Sequence, residues 1–378
     1  HDELRRQRQM CIRDSLKIIQ LLPELNIGGV ERGTKDFSKV LVDKGHKSVV
    51  ISNGGAFEKD IINDGGKHIT LPIHKKKLSS LFLSKQLKSI YEHEKPDIVH
   101  VRSRMPAWIN FLAFKKMSIK PLLVSTFHGL YSTPFYSQVM AKVDHTIAIS
   151  NTVKNYIVDT YKISEKMITT IPRGCDANTF NKESAPDNWI TKWYEEYPQT
   201  SNKIILTLPT RISKWKGVDS FIELVSKLDG EKFHGLIVGP SSNSKKRYLE
   251  SLKQKVAKLG INKNITFTGS RNDIKNIYKI SDIVFNLSIE PEPFGRTTIE
   301  AISSGSKVIG WDHGGTKEIL EELFPEGLVS LNNINDLKDK VMVIANRDHP
   351  LPKENIFTSD RMTQSTIDLY HQLINKDL

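Results

Sequence analysis

Two carboxylates eight positions apart, Glu292 and Glu300, bracket a Pro-Phe-Gly turn in the stretch SIEPEPFGRTTIEAISSGSKVIG at residues 288–310. A turn at Pro293–Gly295 that opens a helix would aim the backbone amides of Phe294 through Thr298 at one point. Such a positive helix end can hold a phosphate oxygen. Glu292 would then lie in the loop beside the phosphate. Glu300, about two turns further on, would reach a diol such as a ribose. Acidic residues near a helix N-terminus are also favourable without any ligand, so the pair gains meaning only from its company. That company includes LPTRISKWKGVDSFIELVSKL (208–228), where Arg211 and Lys216 follow a strand end and Lys214 stands in reserve. An Arg fork and a mobile Lys charge suit a diphosphate, although two basic residues in a loop are commonly just solvated.

Three further stretches carry candidate groups. In LLPELNIGGVERGTKDF (21–37) a strand runs into Gly28 and Gly29 before a helix, which lets backbone approach a ligand closely. It matches neither G-x-G-x-x-G nor G-x-x-x-x-G-K-[ST], which disfavours a dinucleotide enzyme and a P-loop NTPase. DIVHVRSRMPAW (97–108) holds His100, Arg102 and Arg104, and STFHGLY (125–131) ends a strand at His128, just before Gly129. A lone histidine is more often structural than functional, so His128 also depends on context. No H-E-x-x-H or Cys/His metal spacing occurs, and no bound catalytic metal is expected.

Positioning these groups requires many short strands. LKIIQLL (16–22), KSVVIS (47–52), DIVHV (97–101), PLLVST (121–126) and HTIAIS (145–150) read as buried strands, separated by helical patterns such as 30–45. The rhythm stops at the polar, aromatic segment 181–202 and restarts with KIILTLP, HGLIVG, NITFTG, DIVFNL and KVIGW between 203 and 311. The spacing predicts an α/β protein of two doubly wound, Rossmann-like domains facing an interdomain cleft, with ligands at the carboxyl ends of the strands. The expected division is a disordered or non-native tail at 1–15, a first domain at 16–185, a linker at 186–202, a second domain at 203–357 and a C-terminal helix at 358–378 that packs back on the first domain.

Composition narrows the class further. The 378 residues suffice for two domains, and 38% hydrophobic with 26% charged residues is ordinary for a soluble protein. Apolar runs are broken by charge before about 18 residues, so no transmembrane helix is expected. Two cysteines, Cys11 and Cys175, exclude a disulfide framework and fit a reducing, cytoplasmic compartment. The net charge of +12 is lopsided: residues 1–188 carry 29 basic and 19 acidic side chains, and residues 189–378 carry 26 and 24. A basic first half suggests a polyanion or an anionic membrane surface, with solubility as the plain alternative. Lys75, Lys76 and Lys77 precede LSSLFLSKQLKSIYEHEK (78–95). There Leu78, Leu81, Phe82, Leu83 and Leu87 read as one apolar face beside Lys85 and Lys88, suited either to a headgroup layer or to covering the sheet.

Taken together, from Leu16 onward, the chain resembles the retaining glycosyltransferases of family 4, which have the GT-B fold. The specific elements are E-PFGRTTI-E followed by AISSG and a strand, the R-x4-K spacing of Arg211 and Lys216, GGVER at 28–32, and IPRGCDANTF at 171–180. VRSRMPAW, TFHGLY and IPRG look most like bacterial members that build lipopolysaccharide or related surface glycans. The resemblance implies that Glu292 contacts donor sugar hydroxyls and Glu300 the nucleotide ribose. It implies that Arg211 and Lys216 neutralise the departing diphosphate, aided by amides at Gly295, Arg296 and Thr297 and by the Gly28–Gly29 loop, and that His128 contacts the sugar near the reacting carbon. Arg296 stands where many members carry Leu or Val, as a further phosphate contact or a solvent-facing side chain. The serine pair of AISSG, in place of a commoner Met-Ala, reads as packing.

The implied reaction moves a sugar from a UDP- or GDP-sugar to a glycan or lipid-linked acceptor without a metal or other cofactor, the nucleotide sugar being a substrate. The implied location is cytoplasmic and peripheral on the inner membrane face. A GT-B nucleotide-sugar 2-epimerase is the main alternative, though it has little use for a basic first half. A glycogen-type phosphorylase needs a much longer chain. A non-catalytic polyanion-binding protein gains nothing from paired carboxylates, and nucleic acid is not an expected partner.

Overall fold

The computed structural model describes residues 15–26, 28–75, 77–242, 245–346 and 348–376, so the expected tail, Ser15 apart, lies outside the described residues. The chain divides into two compact units, one built from residues up to Ile171 together with those from Thr363 onward, the other from Pro172–Met362.

The first unit holds a seven-stranded, wholly parallel sheet: β1 (Lys17–Leu21), β2 (Lys47–Ser52), β3 (Lys67–Thr70), β4 (Ile98–Val101), β5 (Leu122–Phe127), β6 (His145–Ala148) and β7 (Ile168–Thr170). The spatial order is β3-β2-β1-β4-β5-β6-β7. The order reverses between β1 and β4, which pair in register from Ile18 opposite Ile98 to Leu21 opposite Val101. Ile18, Ile19, Leu21, Ile98, Val99 and Val101 are almost fully buried, because helices cover both faces of the sheet and leave no polar side for water. The strand-to-helix connections leave backbone and side chains at the carboxyl edge free to form a site.

The second unit repeats the plan with six parallel strands: β8 (Ile204–Pro209), β9 (Phe233–Val238), β10 (Ile265–Gly269), β11 (Ile283–Asn286), β12 (Lys307–Trp311) and β13 (Leu328–Val329). Their order is β10-β9-β8-β11-β12-β13, with the reversal between β8 and β11. Two doubly wound parallel sheets are therefore present, as the spacing predicts.

Three features differ from expectation. The short edge strands β3, β7 and β13, with sequences KHIT, ITT and LV, lack the continuous apolar run that marks a central strand. The segment expected as a linker contains the helix Asp187–Glu196, whose Trp193 is buried against Ile205, Leu236, Val238 and Ile277. Trp189 stacks on Trp193 at 5.3 Å between ring centroids, so this aromatic segment is core of the second unit. Finally, 78–95 is not one amphipathic helix. A 3-10 turn at Leu78–Leu83 precedes an α-helix at Ser84–Glu94, Leu87 is fully buried, and Leu81 and Leu83 are half-buried. Of these apolar side chains Phe82 stands well exposed, at 76%, while Leu81, Leu83 and Leu87 cover the unit they belong to. Lys76 lies outside the described residues.

The last helix, Ser359–Lys376, contributes Tyr370 to the first unit, where the phenol is fully buried, lies 2.6 Å from His100 Nδ1 and packs edge-on against Phe37.

Candidate functional site

The reversal between β8 and β11 opens a cavity of about 190 Å³ at the carboxyl ends of both strands. Arg211, Lys216, Glu292 and Thr297 all line it, with Asn286 and Ser288. Each arrives for a local reason. Gly217 adopts φ +72°, a backbone conformation that favours glycine, and a Cβ there would collide with the Leu287 carbonyl. That contact lets the loop carrying Lys216 lie directly against the end of β11. The Trp215 carbonyl accepts from the Ile289 amide at 2.8 Å, tying the same two loops together.

Lys216 and Glu292 form an ion pair through Nζ and Oε1, with only 16% and 13% of their side chains exposed. Lys216 Nζ also lies 4.0 Å from the centroid of the Trp215 ring. Ser288 Oγ donates to the same Glu292 oxygen at 2.5 Å. The Ser288 carbonyl accepts from His313 Nε2 at 2.7 Å, which braces the loop from behind. Ser288 and His313 escaped the sequence reading; polar residues just after β11 and β12 were the available signal.

Gly295, at φ +101°, turns the chain into the helix Arg296–Ser303. The expected run of free amides is shorter than the sequence suggests, since the Thr298 amide already donates to the Gly295 carbonyl at 3.0 Å. Glu300 is 8% exposed on this helix and accepts from Tyr278 Oη at 3.4 Å. Burial, then the nearby Glu300 charge, pushes the Tyr278 phenol well above its usual range, so it stays a donor. Arg296 donates to Glu300 Oε1 at 3.0 Å, one turn along. The pair places Arg296 on Glu300, a third outcome beside the phosphate contact and the solvent-facing side chain.

In the first unit, extended Gly28 precedes the helix Gly29–Asp43 with no side-chain cap, and the Glu31 carboxylate packs against Gly28. His128 directly follows β5, and its backbone amide donates to Tyr131 Oη at 3.4 Å. These residues share the carboxyl edge of one sheet, with β4 between their strands. The structure thus gathers Arg211, Lys216, Glu292 and Thr297 around one cavity, sets Gly295, Arg296 and Glu300 on the adjoining turn and helix, and puts Gly28, Gly29 and His128 in the other unit. A larger cavity, about 530 Å³, opens at the amino edge of the first sheet beside Phe111, Lys115 and Lys142 and contains none of these residues. Among the described residues no group of three or more His, Cys, Asp or Glu side chains is placed to hold a metal ion.

Two cations and a helix N-terminus around a small cavity favour an anion with two or more negative oxygens. A carboxylate at its rim favours hydroxyl donors. The arrangement suits a diphosphate joined to a polyol.

Comparison with known proteins points the same way. Residues 27–179 match the model described as Glycosyltransferase Family 4, and residues 190–355 the model Glycosyl transferases group 1. A human protein of the phosphatidylinositol N-acetylglucosaminyltransferase is 24% identical over 326 residues, covering 81% of this chain and 63% of that protein. The chain therefore spans less than two thirds of that relative. A crystal structure of a glycosyltransferase from Rickettsia africae superposes with a TM-score of 0.84 at 32% identity, over 97% of this chain and 100% of that one. Anabaena HepE, solved with UDP and glucose, gives a TM-score of 0.74 at 20% identity, over 94% and 100% of the two chains.

Proposed function

The chain belongs to the family 4 glycosyltransferases and has their GT-B fold, and from that premise we propose that it moves a sugar from a nucleotide-sugar donor to a glycan or lipid-linked acceptor with retention at the anomeric carbon. The observation that carries this reading is the Lys216–Glu292 pair beside Arg211 at the β8/β11 reversal. Breaking a sugar–phosphate bond builds positive charge on the anomeric carbon and negative charge on the diphosphate. Arg211, Lys216 and the start of the helix Arg296–Ser303 stabilise the negative charge in a partly dry site, where fixed donors act most strongly. Glu292 accepts from sugar hydroxyls, and Glu300 accepts from the ribose diol while Tyr278 fixes its second oxygen. Attack from the same face as departure, with the leaving phosphate taking the acceptor proton, gives retention.

In this reading Arg211 and Lys216 take the place of a metal, so turnover survives EDTA and is lost in Lys216→Ala. A full loss on chelation that a divalent ion restores would overturn that part. UDP, the nucleotide present in the HepE structure, is the first to try in a thermal-shift panel of nucleotides and nucleotide sugars. A cognate ligand at a hundredfold excess over its dissociation constant stabilises by about 2.7 kcal/mol. No shift with any member of the panel would defeat the reading.

The reaction class is assigned to lipopolysaccharide or other surface-polysaccharide synthesis on the strength of VRSRMPAW, TFHGLY and IPRG. A lipid-linked acceptor places the work at the cytoplasmic face of an anionic membrane. No helix among the described residues is long and apolar enough to cross one. The contact proposed is peripheral and is made by Phe82 and the exposed lysines around it.

A further inference from the structure

The larger cavity of the first unit has a chemistry of its own. Doubly wound sheets bind their ligands at the carboxyl ends of the strands, yet this cavity of about 530 Å³ opens where β5 and β6 begin. Its apolar wall comes from Phe111 and Phe114, in the last turn of the helix Arg104–Phe114, with Pro121 and Leu122. Three lysines from three segments line it as well. Lys115 follows that helix directly, Lys120 lies in the loop before β5, and Lys142 follows the 3-10 turn Gln138–Ala141. The Nζ atoms of Lys115 and Lys142 stand 4.8 Å and 5.5 Å from the centroid of the same Phe111 ring. Two like charges are thus brought to one side chain from separate elements.

None of these lysines has an ion-pair partner among the described residues. The carboxylate at the cavity, Asp144, is already committed, its Oδ2 accepting from the Leu123 amide at 2.7 Å. The same contact recurs at two other strand starts. Asp97, just before β4, accepts from the Lys17 amide, and Asp282, just before β11, from the Ile205 amide, each at 2.7 Å. Asp144 therefore belongs to the construction of the sheet, and the lysines have no acid of their own. A favourable helix end accounts for Lys115 alone. Ammonium groups gathered beside an apolar wall repel one another, and an anion that bridges them turns that repulsion into attraction. As compact point charges they suit phosphate oxygens, and they lack the flat fork that matches a carboxylate. The volume falls within the range of about 300–1,000 Å³ typical of small-molecule sites.

We propose that this cavity binds an organic phosphate, with the phosphoryl group on the three lysines and an apolar body against Phe111, Pro121 and Leu122. The site stands apart from the transferase reading and needs none of its residues. A soluble phosphate ester and the headgroup of an anionic lipid share this chemistry. Calorimetry on the full chain tests it with phenyl phosphate, inorganic phosphate and phenol as probes. Phenyl phosphate should bind about tenfold or more tightly than either of the other two. The double variant Lys115→Gln/Lys142→Gln should lose about tenfold or more of that affinity. Its melting temperature should stay unchanged, because both side chains are exposed. Lys216→Ala should keep the affinity, which separates this cavity from the donor site. Sedimentation with phosphatidylcholine vesicles, with and without phosphatidate, then identifies the source. Retention on phosphatidate that phenyl phosphate competes away and the double variant lacks marks a lipid headgroup; no such retention marks a soluble ester. Binding of phenyl phosphate no tighter than of phenol or inorganic phosphate, full affinity in the double variant, or its loss in Lys216→Ala would overturn the proposal.

Discussion

Lys216 and Glu292 neutralise each other in a setting that leaves little of either in water, so removing one strands the other. Loss of one partner of a fully buried pair costs about 3–5 kcal/mol, and the residual exposure here lowers that figure. Lys216→Ala is therefore expected to lose stability as well as turnover. The double variant Lys216→Ala/Glu292→Ala should regain much of the stability and none of the activity, as urea melts and donor turnover would show. Glu292→Ala alone should depress turnover more than nucleotide affinity. Glu300→Gln should weaken nucleotide binding by about 1.5–3 kcal/mol, the worth of a charge-assisted hydrogen bond, in a calorimetric titration. Unchanged binding and turnover in both carboxylate variants would remove them from the site. The eight-residue spacing made both carboxylates visible in the sequence. Tyr278 was not visible, because it reaches Glu300 from another helix, 22 positions earlier, and no local pattern encodes that meeting.

Among the elements, central strands were the most legible, since burial on both faces writes itself as an unbroken apolar run. Edge strands and the aromatic segment 187–196 were not, for opposite reasons. β13 is two residues long, and the helix Asp187–Glu196 disguises its inward face among charged neighbours. Trp193→Ala should cost about 3–5 kcal/mol in urea unfolding of the second unit, the usual range for emptying an aromatic site. A loss below about 1 kcal/mol would return the segment to linker status. The lysines before the 3-10 turn set a second expectation. Co-sedimentation with anionic liposomes should fall with salt and drop when Lys75, Lys76 and Lys77 become Ser. With Leu87 committed to the core, Phe82→Ser should weaken it too. Equal sedimentation with neutral liposomes would defeat membrane docking and leave the donor site untouched.

For the whole molecule, acid stability follows from three buried imidazoles. Burial pushes the pKa of His46, His100 and His234 below 6.5, helped by His371 and Lys44 at His46, by Arg102 at His100 and by Lys203 at His234, which falls to about 4. The unfolded chain takes up these protons first as the pH drops. Stability is thus complete above 6.5 and declines toward 4, by up to about 1.4 kcal/mol per pH unit for each ring. Melting temperatures across that window should slope accordingly, and less steeply in His234→Gln. A flat profile would mean that the rings take up protons equally in the folded and unfolded chains. A different consequence comes from Tyr370. The first unit draws its closing helix from the far end of the chain, with the whole second unit translated in between. On the ribosome, the unit begun first is therefore finished last, and His100 waits for its phenol until the second unit has left the exit tunnel. A chain cut after Met362 should protect the second unit against protease and leave the first as the substrate that chaperones see.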